Sequence, residues 1–516
     1  MFGVFYSNYL LYNLPMKKFY PFLFFITILM LVFMISANVQ IFDYDLWARL
    51  IAGMGVIDGH TVLKTDFLSY TPTHTWWDHE YGSGVIFYFF LKHFGGYSLI
   101  FLQTVIFFLI IFFTTRIIKL RHDKSFYNML FWILPIIALQ ANFGSPIRCH
   151  LFSFLFFTIF LYILEKVRQG SLKLLYLLPI LTIIWNNLHG GVVAGLGLIG
   201  MYAISEILDK KPVKHYLYAG ILSCAALLIN PWGFDYIKFL LMANTMKRPD
   251  ITEWWGIFSK PHLYNQIPFK IFMILIIGLE GYKIYTKKMS TQISLWKDLD
   301  KAKFIVILTT LFLAIQHIKL LPFFVITATA FCYEDFADCI ENKLPKYTEK
   351  LTLILIILIS LIGLSMKKYE LPLGASQYPH REVEFIKIND IKGNILVNFG
   401  LGSFVSYKTY PHNKIFMDGR YEEVYYDEMV PLLKKFYLLN PDWDEVLKKY
   451  PPDIMIIEKY YPVYEKLNEL PEWTNVFDTE NFGVFIKTEN RKKTYTLPDN
   501  TLEYYKNTLF DTSIKF

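Results

Sequence analysis

The chain has 516 residues, 54% of them hydrophobic and only 18% charged, against about 25% charged in ordinary soluble domains. That balance excludes a soluble enzyme and predicts a polytopic α-helical membrane protein. The net charge of +7 comes mostly from lysine and arginine in short loops between apolar runs, so no nucleic-acid partner is expected.

Apolar runs of roughly twenty residues, the length that crosses a bilayer core as helix, recur as far as residue 366. They predict about 11 transmembrane helices, near 19–41, 97–118, 126–141, 150–165, 173–187, 191–208, 216–230, 267–286, 302–316, 319–334 and 350–366. The N-terminal stretch lacks a small-residue cleavage site, so the first run reads as a retained span in the lipid bilayer. Lys17 and Lys18 precede it, and basic residues return in every second loop, with Arg121 and Lys124, Arg168 and Lys173, Lys210 and Lys214, and Lys287 and Lys288 among them. Such loops stay cytoplasmic, which puts the N-terminus inside and the first loop, 42–96, outside. That loop holds two expected interfacial helices, around 45–57 and 80–93.

From about Ser365 the character changes. Residues 367–516 are charged and tyrosine-rich, with no apolar run long enough to span. "NILVNF", "KIFMD", "DIMIIEK" and "FGVFIKT" read as short strands, with helices near 381–389, 426–438 and 443–449 between them, a small α/β domain. The chain therefore divides into a membrane domain, 1–366, and a C-terminal α/β domain, 367–516, which eleven spans leave outside. Four scattered cysteines give no disulfide framework.

The unusual polar residues collect on one side. Asp43, Asp45, Asp78, His79 and Glu80 fall in the first outer loop; Arg148 and His150 in the second; Asn187 and His189 in the third; Asn230 and Glu253 in the fourth; His317 and Lys319 in the fifth. The opposite loops offer little but lysine. Each motif has a local explanation: Asp43 and Asp45, or "DHE", cap the helices that follow, "NPWG" is a turn, Glu253 sits in an aromatic belt, and Lys319 snorkels. Convergence from five loops points instead to a site, because polar groups near hydrocarbon are costly. The span middles are almost free of acids, which disfavours a transporter, and there is no Walker loop, dinucleotide fingerprint, HExxH or GxSxG triad.

The run "DYDLWARLIAG…TDFLSYTPTHTWWDHEYGSGVIFYFF", then "RCHLFSF", "NNLHGG", "NPWG", "EWW" and "HIKLLPFF", resembles the bacterial integral-membrane glycosyltransferases of the GT-C superfamily, most of all a mannosyltransferase-like branch. The similarity runs from about residue 19 to 334, and "GSFVSYKTYPHNKIFMDGRYEEVY" resembles the extracytoplasmic domain that ends such proteins. The resemblance implies a GT-C-like membrane fold in the bacterial inner (cytoplasmic) membrane, and a sugar taken from a polyprenyl-phosphate donor to a glycan, lipid or protein acceptor at the outer face. The acidic motif after the first span, Asp43 and Asp45, is then catalytic. Where relatives often read "WWHLA" this chain has "LWARL", with Arg49 in the histidine's place.

The chemistry is compatible with that arrangement. Glycosyl transfer needs a carboxylate to deprotonate the acceptor hydroxyl, the role expected of Asp43 or Asp45. It also needs cations on the departing phosphate, the role expected of Lys319, His317 and Arg148. Arg49, Asp78, His79, Glu80, His150, Asn187, His189, Asn230 and Glu253 complete the expected substrate-binding set. No residue is assigned as a metal ligand, although a divalent cation (Mg or Mn) bridging Asp43 or Asp45 with Glu80 suits hard oxygen donors. Two further readings stand beside the enzyme: a catalytically silent GT-C-like scaffold that binds glycan or lipid, and a transporter of a lipid-linked saccharide.

Overall fold

All eleven apolar runs fold as helix. The computed structural model describes residues 16–38, 41–122, 127–143, 147–249, 251–290, 299–340, 347–366, 370–374, 376–512 and 514–516, so Lys124 lies outside the described residues. In chain order the helices are α1 (Met16–Ser36), the first-loop pair α2 (Leu46–Ile57) and α3 (Tyr81–Phe94), α4 (Tyr97–Arg121), α5 (Met129–Phe143), α6 (His150–Arg168) and α7 (Leu177–Leu188). They continue as α8 (Val193–Leu208), α9 (Lys214–Ala226), α10 (Phe234–Thr245), α11 (Ile267–Ser290), α12 (Lys301–Gln316), α13 (Leu321–Ile340) and α14 (Tyr347–Met366).

Among the described residues, five helices are long and apolar enough to cross a membrane: Tyr97–Arg121, His150–Arg168, Gly190–Leu208, Ile318–Cys339 and Thr348–Met366. Length sets apart four of the other six expected spans. Helices α5, α7, α9 and α12 have 15, 12, 13 and 16 residues, and 16 residues reach only about 24 Å of a core about 30 Å thick. Outward-facing Ile354, Leu358 and Ile362 on α14 are exposed, as expected of a helix bathed in lipid.

The C-terminal segment forms a five-stranded sheet of β1 (Gly393–Val397), β2 (Asn413–Ile415), β3 (Ile454–Glu458), β4 (Trp473–Asp478) and β5 (Phe482–Lys487), in the order β2-β1-β3-β5-β4. Strand β1 is parallel to β2 and β3, while β5 is antiparallel to β3 and β4. The four expected strands are present. The fifth, β4, escapes the sequence because it is an edge strand with polar Thr474 and Asn475 and a register shift before Phe477, so its alternation is broken. The three expected helices are α15 (His380–Ile388), α18 (Met429–Tyr437) and α19 (Glu445–Lys449), with α16 (Gly402–Thr409), α17 (Tyr421–Val424), α20 (Pro462–Asn468) and α21 (Leu502–Thr508) added.

The first loop is built into this segment. Leu68 O accepts from Ile415 N–H at 2.9 Å and Tyr70 N–H donates to Ile415 O at 3.0 Å, so residues 68–70 extend the sheet beyond β2. Trp47, fully buried, donates from Nε1 to Tyr378 Oη at 2.8 Å and packs on Phe404 and Tyr407. Ala52 and Trp76 share a hydrophobic core with Phe416, Met417, Phe436 and Met455. Helices α2 and α3 touch backbone to backbone, because any Cβ on Gly53 would overlap the carbonyl of Gly84.

The opposite end of the helices departs from expectation. Instead of lysine alone it holds paired acids: Arg121 donates to Glu165 at 2.7 Å and to Asp300 at 2.6 Å, Arg168 lies 3.1 Å from Asp300, and Lys301 bonds Asp209. Basic residues that read as topological markers thus also tie α4, α6 and α12 together.

Candidate active site

Asp45 stands at the N-cap of α2, yet its side chain makes no capping hydrogen bond. It accepts instead from Arg148 Nη2 at 2.6 Å. Asp43 Oδ1 accepts from the Asp45 backbone N–H at 3.0 Å and lies 3.2 Å from Arg148 Nε, and the remaining arm of Arg148 bonds Glu253. The carboxylates are therefore turned from the helix toward a guanidinium, and capping does not account for them. Burial pushes the Asp43 carboxyl up to about 7 in spite of Arg148, and burial raises Asp45 too. The C-terminal segment closes over this pair at Gly419, where a Cβ would stand 2.5 Å from Asp45 Oδ1 and displace that carboxylate.

A second guanidinium lies deeper. Arg49 bonds Asp78 and donates from Nη2 to Glu423 Oε2 at 2.8 Å, with Nε 3.6 Å from Glu80. Trp76 Nε1 donates to the same Glu423 oxygen at 2.9 Å, and His79 Nδ1 lies 3.2 Å from the other. Arg49 is 3% exposed and Asp78 1%, so this arginine is a buried tie between the first loop and the C-terminal segment. Burial works against the Glu423 charge, but Arg49 and His79 outweigh it and hold the carboxyl down to about 2. Burial likewise opposes the His79 charge, but Glu80 and Glu423 raise its pKa to about 9.

His189 bridges outward from this cluster. Its Nδ1 accepts from Gly191 N–H at 2.9 Å and lies 2.7 Å from Ser153 Oγ, which itself receives the Trp185 Nε1 proton at 2.7 Å. Nδ1 is thus the acceptor, so the proton is on Nε2, aimed at Glu80 Oε1 3.2 Å away. Lys319 sits in the short turn Ile318–Leu320 before α13. Among the described residues it makes no ion pair, and its ammonium lies 5.5 Å from the centre of the Trp254 ring. Buried His150 has Nε2 without a hydrogen-bond partner.

These groups surround one small open recess of about 30 Å³. Of the expected residues, Asp43, Asp45, Arg49, Glu80, Arg148, His150, His189 and Lys319 line it. His79 and Glu253 stand one contact behind, on Glu80 and Arg148. The other four are engaged elsewhere. Asp78 is spent on Arg49, and His317 Nδ1 donates to Trp254 O at 2.6 Å. Asn187 donates to Ile183 O and Ile229 O at 2.7 and 2.9 Å. Asn230 Oδ1 accepts from Trp232 and Gly233 N–H at 2.7 and 2.9 Å. The two asparagines hold the turns that deliver the other residues.

Sequence reading missed Glu423, Gly419 and Cys149. The first two lie in the "MDGRYEEVY" string, whose pairing of acids beside an arginine was the available signal; buried Arg420 there bonds Asp418 at 2.9 Å and Asp66 at 2.6 Å. The expected bridge from Asp43 or Asp45 to Glu80 gives way to a different compact donor set, His79, Glu80 and Glu423, whose ligand atoms lie within 4.8 Å of one another. Asp43 and Asp45 are held by Arg148 instead. With Asp78 Oδ2 buried and unpartnered nearby, this imidazole-and-carboxylate set fits a divalent cation.

No family model matches the chain, and no curated protein matches it. Among the solved structures that share its fold are two of the oligosaccharyltransferase of Archaeoglobus fulgidus. One, tethered to an acceptor peptide with an NVT sequon, has 10% identity and a TM-score of 0.55 over 93% of this chain and 76% of that one. The other, AglB with an inhibitory peptide and dolichol-phosphate, has 9% identity and a TM-score of 0.53 over 94% and 76%. At such identity the likeness is one of fold alone.

Proposed function

We propose that the protein is a membrane glycosyltransferase of GT-C type, moving a sugar from a polyprenyl-phosphate donor to an acceptor hydroxyl at the outer face of a bacterial inner membrane. The proposal includes about eleven spans, an internal N-terminus, a membrane domain of residues 1–366 and an external C-terminal domain of residues 367–516. One observation carries it: unpaired Lys319 and the two aspartates Asp43 and Asp45 line the same recess. Lys319 precedes a long helix, where backbone N–H groups and the helix dipole already favour an anion. It takes the donor phosphate, assisted by Arg148 once that side chain leaves its carboxylates.

Asp43 is the base. Its pKa of about 7 is matched to proton transfer near neutral pH. The acceptor oxygen forms the new bond to the anomeric carbon and its proton passes to Asp43. The bond to the phosphate oxygen breaks with its electron pair, leaving polyprenyl phosphate at Lys319. A divalent cation held by His79, Glu80 and Glu423 would add positive charge beside the leaving phosphate. The double pairing of Arg148 with Asp43 and Asp45 favours a second reading, the catalytically silent scaffold, in which these carboxylates serve only to bind the arginine.

Kinetics of the purified protein with a polyprenyl-phosphate-sugar donor decide between them. Lys319→Ala is expected to raise the donor KM and lower turnover, and Lys319→Arg to keep part of both. Unaltered donor kinetics in Lys319→Ala move the phosphate site elsewhere; no turnover at all in the parent chain establishes the scaffold.

A further inference from the structure

A second cavity, about 310 Å³, has in its lining Tyr44, Asn398, Glu458, Tyr460, Asn481 and Phe482. Its place follows from the sheet. β1 lies between two parallel neighbours, so the chain leaves it toward β2 and must cross back to reach β3. The carboxyl ends of β1 and β3 thus flank a topological switch point, where open α/β sheets form ligand crevices. Asn398 follows β1 directly and Glu458 closes β3.

The lining is selective in its chemistry. Glu458 is only 5% exposed; one oxygen accepts from Asn398 Nδ2 at 2.8 Å, and the other is buried without a partner. Burial pushes its pKa up to about 7, so near neutral pH it both donates and accepts. Tyr460 presents an aromatic face that is 74% exposed, beside Tyr44 and Phe482. Among the described residues no lysine or arginine lines the cavity, so none of them neutralises a phosphate, sulfate or carboxylate there. Flat apolar faces with amides and one carboxyl suit the C–H faces and hydroxyls of a neutral sugar.

Tyr44 connects the two cavities. It lines this one, while its neighbours Asp43 and Asp45 line the recess. Its hydroxyl pKa is raised by burial first, then by Glu458 and Asp43, so it stands within electrostatic reach of both.

We infer that the switch-point cavity is a saccharide-acceptor site, holding a neutral oligosaccharide whose terminal hydroxyl passes Tyr44 to reach Asp43. This rests on the transferase reading and names its acceptor. The test is saturation-transfer NMR on the full chain in detergent, with chitotetraose, mannotetraose and a hexapeptide as separate probes. At least one tetrasaccharide is expected to bind saturably, and Tyr460→Ala, which removes an exposed ring, to weaken it about tenfold. Binding of the hexapeptide alone, or saccharide binding indifferent to both Tyr460→Ala and Glu458→Gln, overturns the assignment. Release of polyprenyl phosphate from donor in water, measured on the same samples, reads the transferase separately. Donor turnover without saccharide binding sinks the acceptor site alone. Saccharide binding without donor turnover keeps the cavity as a saccharide site and removes the transferase.

Discussion

Two arginines organise this molecule, and each meets three carboxylates. Arg148 holds Asp43, Asp45 and Glu253, with Asp45 and Glu253 each 39% exposed at the side chain; Arg49 holds Asp78, Glu423 and, more distantly, Glu80, and is 3% exposed. The chemistry is the same and the consequence is not. Exposed pairs contribute little to stability and exchange readily with solvent or ligand. Breaking a buried pair strands a charge where water cannot reach it. The open cluster is therefore suited to reaction and the closed one to holding the first loop against the C-terminal segment.

The comparison is most severely tested at Asp43. Asp43→Asn is expected to lower transfer by about 100-fold or more, the contribution of a general base, with thermal stability nearly unchanged. Loss of folded protein in parallel would erase the distinction between the clusters. Next, Arg49→Met should cost about 3–5 kcal/mol by leaving Asp78 and Glu423 unpaired, seen as a lower unfolding temperature and faster proteolysis after residue 366. Arg148→Met should cost less than Arg49→Met, because water reaches Asp45 and Glu253, each 39% exposed at the side chain. Equal losses from the two substitutions would mean that exposure does not set their roles.

The clusters should also differ in pH response. In the metal-free protein His79 is raised from 6.5 to about 9, so its stabilising charge is fully present below pH 6.5 and is lost as pH rises through 9. Glu423 is lowered from 4.5 to about 2, so its contribution is present above pH 4.5 and is lost as pH falls through 2. Docking of the C-terminal segment, followed by protease protection, should weaken above pH 9. Activity should rise with pH through about 7 as Asp43 ionises, and Arg148→Met should move that midpoint upward, since Arg148 is what lowers it. A midpoint unmoved by Arg148→Met assigns the titration to another group. The smallest effect is expected from Trp76→Phe, which removes one hydrogen bond to Glu423 but keeps a ring under Arg420, whose guanidinium lies 4.6 Å away; about 1 kcal/mol should be lost.

Much of this was legible in the sequence. Helical runs announce themselves by length and composition, and the positions of "FDYD", "RCH", "LHGG" and "HIKLL" at helix ends sufficed to gather six of the recess residues, with Arg49 and Glu80 added by "LWARL" and "DHE". The direction of each side chain was not legible. Asn187 and Asn230 have the same composition signal as Arg148, but their amides are consumed by nearby backbone, which only geometry reveals. Glu423 was hidden for another reason: it lies 374 residues from Arg49, and charge pairing across such a separation leaves no local pattern.

The edge pairing of Leu68 and Tyr70 with Ile415 carries a consequence for the order in which the molecule is made. The first loop leaves the ribosome early, while its partners arrive about 345 residues later, the separation between Thr71 and the Phe416 carbonyl it bonds. Until then Trp47 and Trp76 lack their core, Arg49 lacks Glu423, and Asp45 lacks the wall that Gly419 supplies. An incomplete chain can thread its helices into the bilayer and still present no finished recess. The C-terminal segment, synthesised after the helices, thus acts as the latch on the proposed chemistry, and reactive carboxylates meet a lipid-linked donor only once that segment has docked.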